Sequence, residues 1–281
     1  MLIAYFIAII AGILSGITES LNKNITEEKY SAFSYSFLQI ALNLVLITIP
    51  FILFSSLPPI GIVYLYILIA ELFVLIGNAS LIKAYKTEDL SNVIILFQIS
   101  LILPFVLGVT LLQEKITSLN IIGILLIISG IIIIFYRGKK LKPTTGFFLA
   151  LLSGTCFGFG TYFIKLASSY TNPLALIFIA EVILTVLLLL IPQTYKDIKT
   201  IFRKYSKKII ISRFTALGTF YLLMWAFQRS KLSISNTNFN TAFILSSVFL
   251  GVFFLGEKTD IRKKLTGSAL CTLGIILLNF F

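Results

Sequence analysis

Residues 8–23 read AIIAGILSGITESLNK, and residues 150–165, which lie 142 positions later, read ALLSGTCFGFGTYFIK. Chance matches of Leu, Ile or Phe are common between two apolar sequences, but matches of Gly, Pro and Glu-Lys in one register indicate an internal repeat. The matching pairs are Ala8/Ala150, Gly12/Gly154, Gly16/Gly158, Lys23/Lys165, Pro50/Pro192, Leu90-Ser91/Leu232-Ser233 and, after small insertions, Glu114-Lys115/Glu257-Lys258, Gly123/Gly267 and Gly130/Gly274.

The composition is that of a membrane protein. The chain has 281 residues, of which 58% are hydrophobic and 12% charged, whereas soluble domains carry roughly 25% charged residues. A helical crossing takes roughly 20 apolar residues, so the sequence predicts about ten crossings and short connections. This excludes a cytosolic enzyme, a disordered chain and a disulfide-built secreted domain. The predicted spans are 2–21, 31–54, 60–84, 90–112, 118–136, 146–167, 173–192, 207–228, 232–255 and 264–281.

The net charge of +12 comes from basic clusters between apolar runs, at 137–142, 196–208 and 258–264. Such clusters mark the cytoplasmic loops of membrane proteins, so we expect a lipid bilayer and no nucleic acid as partner. Eighteen of the 23 Lys and Arg residues lie on the side of the odd-numbered loops and three on the other, which predicts cytoplasmic odd-numbered loops. The sequence has no His and no CxxC pair, so we expect no metal, no other cofactor and no enzymatic activity.

The repeat sets the architecture. Residues 1–138 and 139–281 each hold five predicted spans, and because five is odd the second copy enters the membrane in the opposite sense. The predicted fold is therefore an all-α membrane protein of ten helices in two inverted five-helix repeats. Inverted repeats are typical of secondary transporters, whose substrate site lies near the bilayer midplane between the repeats.

A known family shows the same features. The Gly-rich first helix of each half, which ends in Lys23 or Lys165, and the Glu114-Lys115 and Glu257-Lys258 turns resemble the EamA type of the drug/metabolite transporter superfamily. The resemblance covers essentially the whole chain, with Gln113-Glu114 where the family usually has Gly-Glu. It implies that helices 1, 3, 4, 6, 8 and 9 line a central cavity. Members are associated with amino acids, sugars, nucleotide derivatives and drugs, so the resemblance implies transport without a particular substrate.

Ionisable side chains inside apolar spans are costly in a bilayer, so each is a candidate functional residue. Glu71 lies near the middle of the third span, and the equivalent position in the second repeat is Arg213. Two interpretations stay open: Glu71 binds a coupling proton or cation, or Glu71 and Arg213 form a buried ion pair that fixes helix packing. Glu19, near the cytoplasmic end of the first span, is the third candidate.

The ninth span carries the densest polar stripe, in which Asn236, Asn240 and Thr241 recur at helical spacing. Together with Gln98 of the equivalent fourth span, they are the predicted substrate-binding residues; the alternative is hydrogen bonding between helices. Tyr221 and Trp225 of the eighth span either join the substrate site or belong to an interfacial aromatic belt.

These features predict a secondary carrier of the inner (cytoplasmic) membrane that moves a small polar metabolite, an amino acid or related zwitterion, by alternating access. The alternative substrates are nucleotide-like or aromatic cationic compounds. A non-transporting membrane protein and an intramembrane enzyme are the other functional classes considered, and the inverted repeat and the missing His disfavour them.

Overall fold

The computed structural model describes residues 2–26, 30–100, 102–103, 106–107, 117–137, 140–141, 144–229, 232–257 and 259–279. The Glu114-Lys115 turn lies outside these residues. So do Lys258 and the side chain of Asn236.

The described residues form ten α-helices, which confirms the predicted all-α fold. A two-residue antiparallel hairpin of β1 (Tyr136–Arg137) and β2 (Lys140–Leu141) lies between the two repeats, and a 3-10 turn (Pro192–Tyr195) follows the seventh helix. The helices are α1 (Leu2–Thr26), α2 (Ala32–Phe54), α3 (Ile62–Tyr85), α4 (Leu90–Phe97), α5 (Ser118–Phe135), α6 (Thr145–Ser168), α7 (Pro173–Leu189), α8 (Ile198–Arg229), α9 (Leu232–Phe253) and α10 (Ile261–Asn279).

Four of the described helices are long and apolar enough to cross a membrane. They are Ile3–Thr26, Ala32–Phe54, Ile62–Tyr85 and Thr145–Ser168, and three shorter apolar segments accompany them at Ser118–Ile133, Pro173–Leu189 and Asn238–Phe253. Large apolar side chains are exposed along these helices, as expected for surfaces that face lipid.

Helix α8 begins nine residues before the predicted span, because the basic stretch ahead of the apolar run is itself helical. Its apolar residues Ile198, Ile201, Tyr205 and Ile209 recur every three to four positions. They pack in one cluster with Ile25, Ala32, Tyr35, Leu38 and Ile82 of α1, α2 and α3. The predicted loop is wrong over residues 198–206, since this amphipathic face gives the segment a buried side.

Close glycine contacts join the two repeats in pseudo-equivalent pairs. A Cβ atom on Gly12 of α1 would lie 2.3 Å from the Phe239 carbonyl oxygen of α9, and one on Gly154 of α6 would lie 2.9 Å from the Phe97 carbonyl oxygen of α4. Only a residue without a side chain allows backbones to approach so closely. The glycines of the first helix in each half therefore hold equivalent helix contacts.

Helices α5 and α10 pack through the other repeated glycines. A Cβ atom on Gly130 would lie 2.7 Å from the Gly267 carbonyl oxygen, and one on Gly274 would lie 2.5 Å from the Gly123 carbonyl oxygen. These two contacts are copies of each other under the repeat. Between them the Cys271 thiol lies 3.7 Å from the carbonyl oxygen of Ile127, its own repeat equivalent.

A charged cluster fixes the start of α4. The Glu257 carboxylate accepts hydrogen bonds from the Leu90 amide, the Ser91 amide (3.2 Å) and the Ser91 hydroxyl (2.6 Å). The Lys264 ammonium lies 3.5 Å from Glu257 Oε2 and 2.6 Å from Asp89 Oδ2. A carboxylate at a helix N-terminus binds free amides and interacts favourably with the helix dipole. Glu257 thus attaches α4 to the turn between α9 and α10.

Candidate functional site

A polar cavity of ≈ 240 Å³ lies between α1, α2, α3, α6 and α8. Its walls contain one acidic and one basic side chain together with amides, hydroxyls and a phenol. The polar lining residues are Ser15, Thr18, Glu19, Asn22, Gln39, Asn78, Tyr85, Arg213 and Thr219.

Helix α1 supplies the largest polar share of the cavity wall. Ser15, Thr18, Glu19 and Asn22 occur at intervals of three, one and three residues, which places all four on one helix face. The Thr18 hydroxyl is 2.7 Å from the Thr215 hydroxyl of α8, so this face is attached directly to the opposite wall. In a bilayer a polar helix face must contact another helix or a water-accessible space. This face contacts α8 and also lines the cavity.

Glu19 is oriented by two donors. The Tyr85 hydroxyl donates to Glu19 Oε2 at 2.6 Å, and the Asn22 amide nitrogen donates to the same oxygen at 3.2 Å. Glu19 is half-buried and faces the cavity. Its second carboxylate oxygen is left for another donor.

Asn22 is hydrogen-bonded to both charged residues of the cavity, Glu19 and Arg213. Besides donating to Glu19, its Oδ1 atom accepts from Tyr35 Oη (2.7 Å), Gln39 Nε2 (2.9 Å) and Arg213 Nη2 (3.2 Å). A single amide oxygen with this many donors is held rigidly, so Asn22 sets the distance between the acidic and basic groups.

Arg213 is buried and partly unpaired. Its Nη2 atom donates to Ser212 Oγ at 2.7 Å and to Asn22, while its Nε atom is buried and has no hydrogen-bond partner. Glu19 and Glu181 are both near enough to interact with it electrostatically. Among the described residues, however, no carboxylate lies within 4.0 Å of the guanidinium. The cavity thus holds opposite charges that do not touch each other.

The expected ion pair of Glu71 with Arg213 does not form. Glu71 is buried on α3 and interacts electrostatically with Glu181 of α7, not with Arg213. The pairing was inferred from repeat equivalence, and a pseudo-twofold axis relates equivalent positions without bringing them into contact unless they lie on the axis. The interpretation of Glu71 as a cation or proton site stays a prediction.

The residues predicted to bind substrate are not brought together. Gln98 is buried, and its side-chain amide donates to the Ile94 carbonyl oxygen of its own helix at 2.9 Å. Asn240 is buried in α9, and Thr241 lies at a separate apolar groove between α1 and α9, its hydroxyl without a hydrogen-bond partner. The described lining of the polar cavity contains none of these three residues and no other part of α4 or α9. A substrate contact by these residues, or by Asn236, stays a prediction.

Tyr221 and Trp225 line a second pocket of ≈ 370 Å³, farther along α8. Its other walls include Phe54 at the end of α2 and Asn172 at the start of α7, so it lies on the face opposite the basic loops. Trp225 also packs beside Ala4, Ala8 and Ala226. This position fits a residue of an interfacial aromatic belt as well as a residue that contacts a ligand.

Sequence reasoning identified Glu19 and Arg213 but missed their neighbours Asn22, Gln39 and Tyr85. The polar residues of α1 recur at helical spacing, as those of α9 do, and that signal could have found Asn22. The resemblance implied cavity walls without α2, yet Gln39 places α2 in the wall. Within the described residues there is no group of three or more His, Cys, Asp or Glu side chains that could hold a metal ion.

The ten described helices, the internal repeat and the charged cavity between the halves define a multi-spanning membrane protein. The sequence pattern of the EamA-like transporter family matches residues 2–136 and again 144–280, and the chain belongs to this family.

Relatives and solved structures agree with this assignment. Proteins named "Uncharacterized transporter" from two strains of Helicobacter pylori are each 27% identical to this chain over 140 residues, which are 48% of this chain and 45% of the relative. The match thus spans about half the length of these relatives. One protein of known crystal structure superposes with a TM-score of 0.62 over 99% of this chain and 96% of its own, at 15% identity, which shows a shared fold.

Proposed function

We propose that the protein is a secondary carrier of the inner (cytoplasmic) membrane that moves a small amino acid or related zwitterion by alternating access. The observation that carries this proposal is the polar cavity, in which Glu19 and Arg213 face the same space without forming an ion pair. A zwitterionic amino acid carries the two complementary charges on groups bonded to one carbon atom, so one molecule can pair with both residues.

The two charged groups suit the two ends of such a substrate. The substrate carboxylate accepts from the Arg213 guanidinium, which lines the cavity. The substrate ammonium donates to Glu19, where Tyr85 and Asn22 hold the carboxylate in place. Charge-assisted hydrogen bonds of this kind are the stronger class, and a buried guanidinium favours carboxylate partners. The volume of ≈ 240 Å³ limits the substrate to a small metabolite.

The fold supports alternating access. The apolar cluster of Ile25, Tyr35, Ile201 and Ile209 packs on the α1 and α8 turns next to Asn22 and Arg213, at the end of the cavity near the predicted cytoplasmic loops. Separation of α8 from α1 and α2 would open this end, and the equivalent movement in the other half would close the opposite end. Two repeats that rock about a fixed site are the usual basis of such exchange.

Counterflow in proteoliposomes tests the proposal. Purified protein is first screened by thermal shift against single zwitterionic amino acids, and the one that stabilises it most is then loaded unlabelled inside vesicles. We expect transient accumulation of the labelled compound from outside, because only a carrier exchanges one substrate molecule for another. The N-acetylated form of the same amino acid, which lacks the ammonium, should compete poorly.

The Glu19→Gln variant should lose this preference for a free ammonium group, and the matched control is Asp260→Asn at an exposed carboxylate far from the cavity. Wild-type protein that is stabilised by no amino acid, or that equilibrates label without any overshoot, would contradict the proposal.

Aromatic cationic compounds are the second candidate, because Phe220, Tyr221 and Trp225 line the outer pocket. Ring faces attract cations. Stabilisation by aromatic cations that is lost in Trp225→Ala and retained in Arg213→Gln would favour this candidate.

A further inference from the structure

A second buried polar cluster lies between α2, α3 and α7, apart from the cavity described above. The Asn43 side-chain nitrogen donates to Glu181 Oε1 at 3.0 Å, and Glu71 of α3 interacts electrostatically with Glu181. Asn43 and Glu71 are 9% and 5% exposed, and Glu181 is half-buried. None of its three members lines the substrate cavity.

Two apolar clusters enclose these carboxylates along the helix axes. Ile67 of α3 and Ile179 of α7 belong to one of these clusters, and Val74 of α3 packs against the other, which contains Leu184 of α7. Glu71 and Glu181 occupy the layer between these contacts. The sequence therefore places two acidic groups on facing helices at the same depth, where unpaired charge is costly.

The buried atoms of this cluster that lack a hydrogen-bond partner among the described residues are all oxygens. Glu181 Oε2, Asn43 Oδ1 and Thr185 Oγ1, one turn beyond Glu181, are buried without a hydrogen-bond partner. No hydrogen bond among the described residues reaches the Glu71 carboxylate. Buried polar atoms without a hydrogen-bond partner cost free energy. A single cation coordinated by several oxygens would give all of these buried oxygens a partner at once.

We propose that Glu71, Glu181 and Asn43 bind one alkali cation, with Na⁺ as the best-matched ion. Glu181 interacts with the Arg213 guanidinium, whereas Glu71 has no basic partner among the described residues. A monovalent cation matches the single uncompensated charge of Glu71. Oxygen ligands of carboxylate, amide and hydroxyl type suit a hard cation.

The cluster is connected to the substrate cavity through Arg213. This guanidinium lines the cavity and interacts electrostatically with both Glu19 and Glu181. When a cation neutralises Glu181, the Arg213 charge becomes available to an anionic group in the cavity. Cation and zwitterion then bind with positive coupling, and each raises the affinity for the other equally. This coupling rests on the proposed function, but cation binding itself does not.

Equilibrium binding of ²²Na⁺ to purified protein, without any organic substrate, tests the site. We expect saturable binding of one ion per chain, with choline chloride holding the ionic strength constant. Glu71→Gln and Glu181→Gln should each weaken binding by more than about tenfold, and Asn43→Ala by roughly tenfold or more. Asp260→Asn is the matched control, which removes an exposed carboxylate away from both clusters and should bind ²²Na⁺ as the wild type does.

Two results would overturn the proposal. One is wild-type protein without saturable ²²Na⁺ binding at pH 8, which would assign protons to the carboxylates. The other is wild-type affinity in the Glu71 and Glu181 variants. If those variants elute as aggregates on size-exclusion chromatography, Asn43→Ala decides, and unchanged affinity there refutes the site. This assay contains no transported substrate. A negative result would therefore refute the cation site without bearing on the proposal of an amino-acid carrier.

Discussion

Replacing Arg213 by Gln tests the cavity assignment most directly. The guanidinium is the only described positive charge in the cavity lining. A hydrogen bond to a charged group is worth about 1.5–3 kcal/mol. At about 1.4 kcal/mol per factor of ten, the Kd of a zwitterionic amino acid should rise roughly 10- to 150-fold in Arg213→Gln.

The fold should survive this change. Asn22 Oδ1 keeps Tyr35 Oη, Gln39 Nε2 and Ser212 Oγ as donors after Arg213 Nη2 is lost. Binding is measured by scintillation proximity with the labelled amino acid that stabilises the wild type. Arg203→Gln, an exposed arginine on the same helix, is the control and should bind normally. Wild-type Kd in a folded Arg213→Gln variant would refute a carboxylate contact at this residue.

Three further predictions concern packing and the competing site. Glu257→Ala removes the acceptor of three hydrogen bonds at the start of α4, while Lys264 keeps its 2.6 Å contact with Asp89, so the free energy of unfolding should fall by about 1–3 kcal/mol, and an unchanged Tm in detergent would contradict this role. Gly12→Ala should lower the Tm by overpacking against Phe239, at a cost of about 1–3 kcal/mol, whereas Gly218→Ala, whose added Cβ meets no atom closer than 3.7 Å, should be tolerated; equal Tm values would refute the close contact. Gln98→Ala should leave the Kd within about threefold, because its amide is bonded to its own helix; a rise of roughly threefold to tenfold would restore the site predicted from sequence.

The helices were predictable because a bilayer imposes its thickness on every crossing segment. Apolar runs bounded by Pro58-Pro59 or Asn172-Pro173 therefore mark helix ends closely. The start of α8 was not predictable in this way, because residues 198–206 are amphipathic and their helical form depends on contacts with α1, α2 and α3.

The site was predictable only in part. Charged side chains are rare inside apolar spans, so the sequence identifies Glu19, Glu71 and Arg213 as candidate functional residues. Their partners depend on which helix faces meet, and that follows from packing between the halves. Asn22 illustrates the limit: its polar side chain is evident in the sequence, but the donors it receives come from α2 and α8, far away in the chain.

The contact of Ile127 with Cys271 has a consequence for how the halves diverge. In a homodimer, a residue on the twofold axis must meet an identical copy of itself. Here one chain contains both halves, so the axis accommodates a large side chain opposite a small one, both fully buried. An exchange of the two residues, with Cys on α5 and Ile on α10, conserves the packed volume across this axis. Because both halves belong to one polypeptide, the two residues at this central contact can differ, which is impossible in a symmetric homodimer.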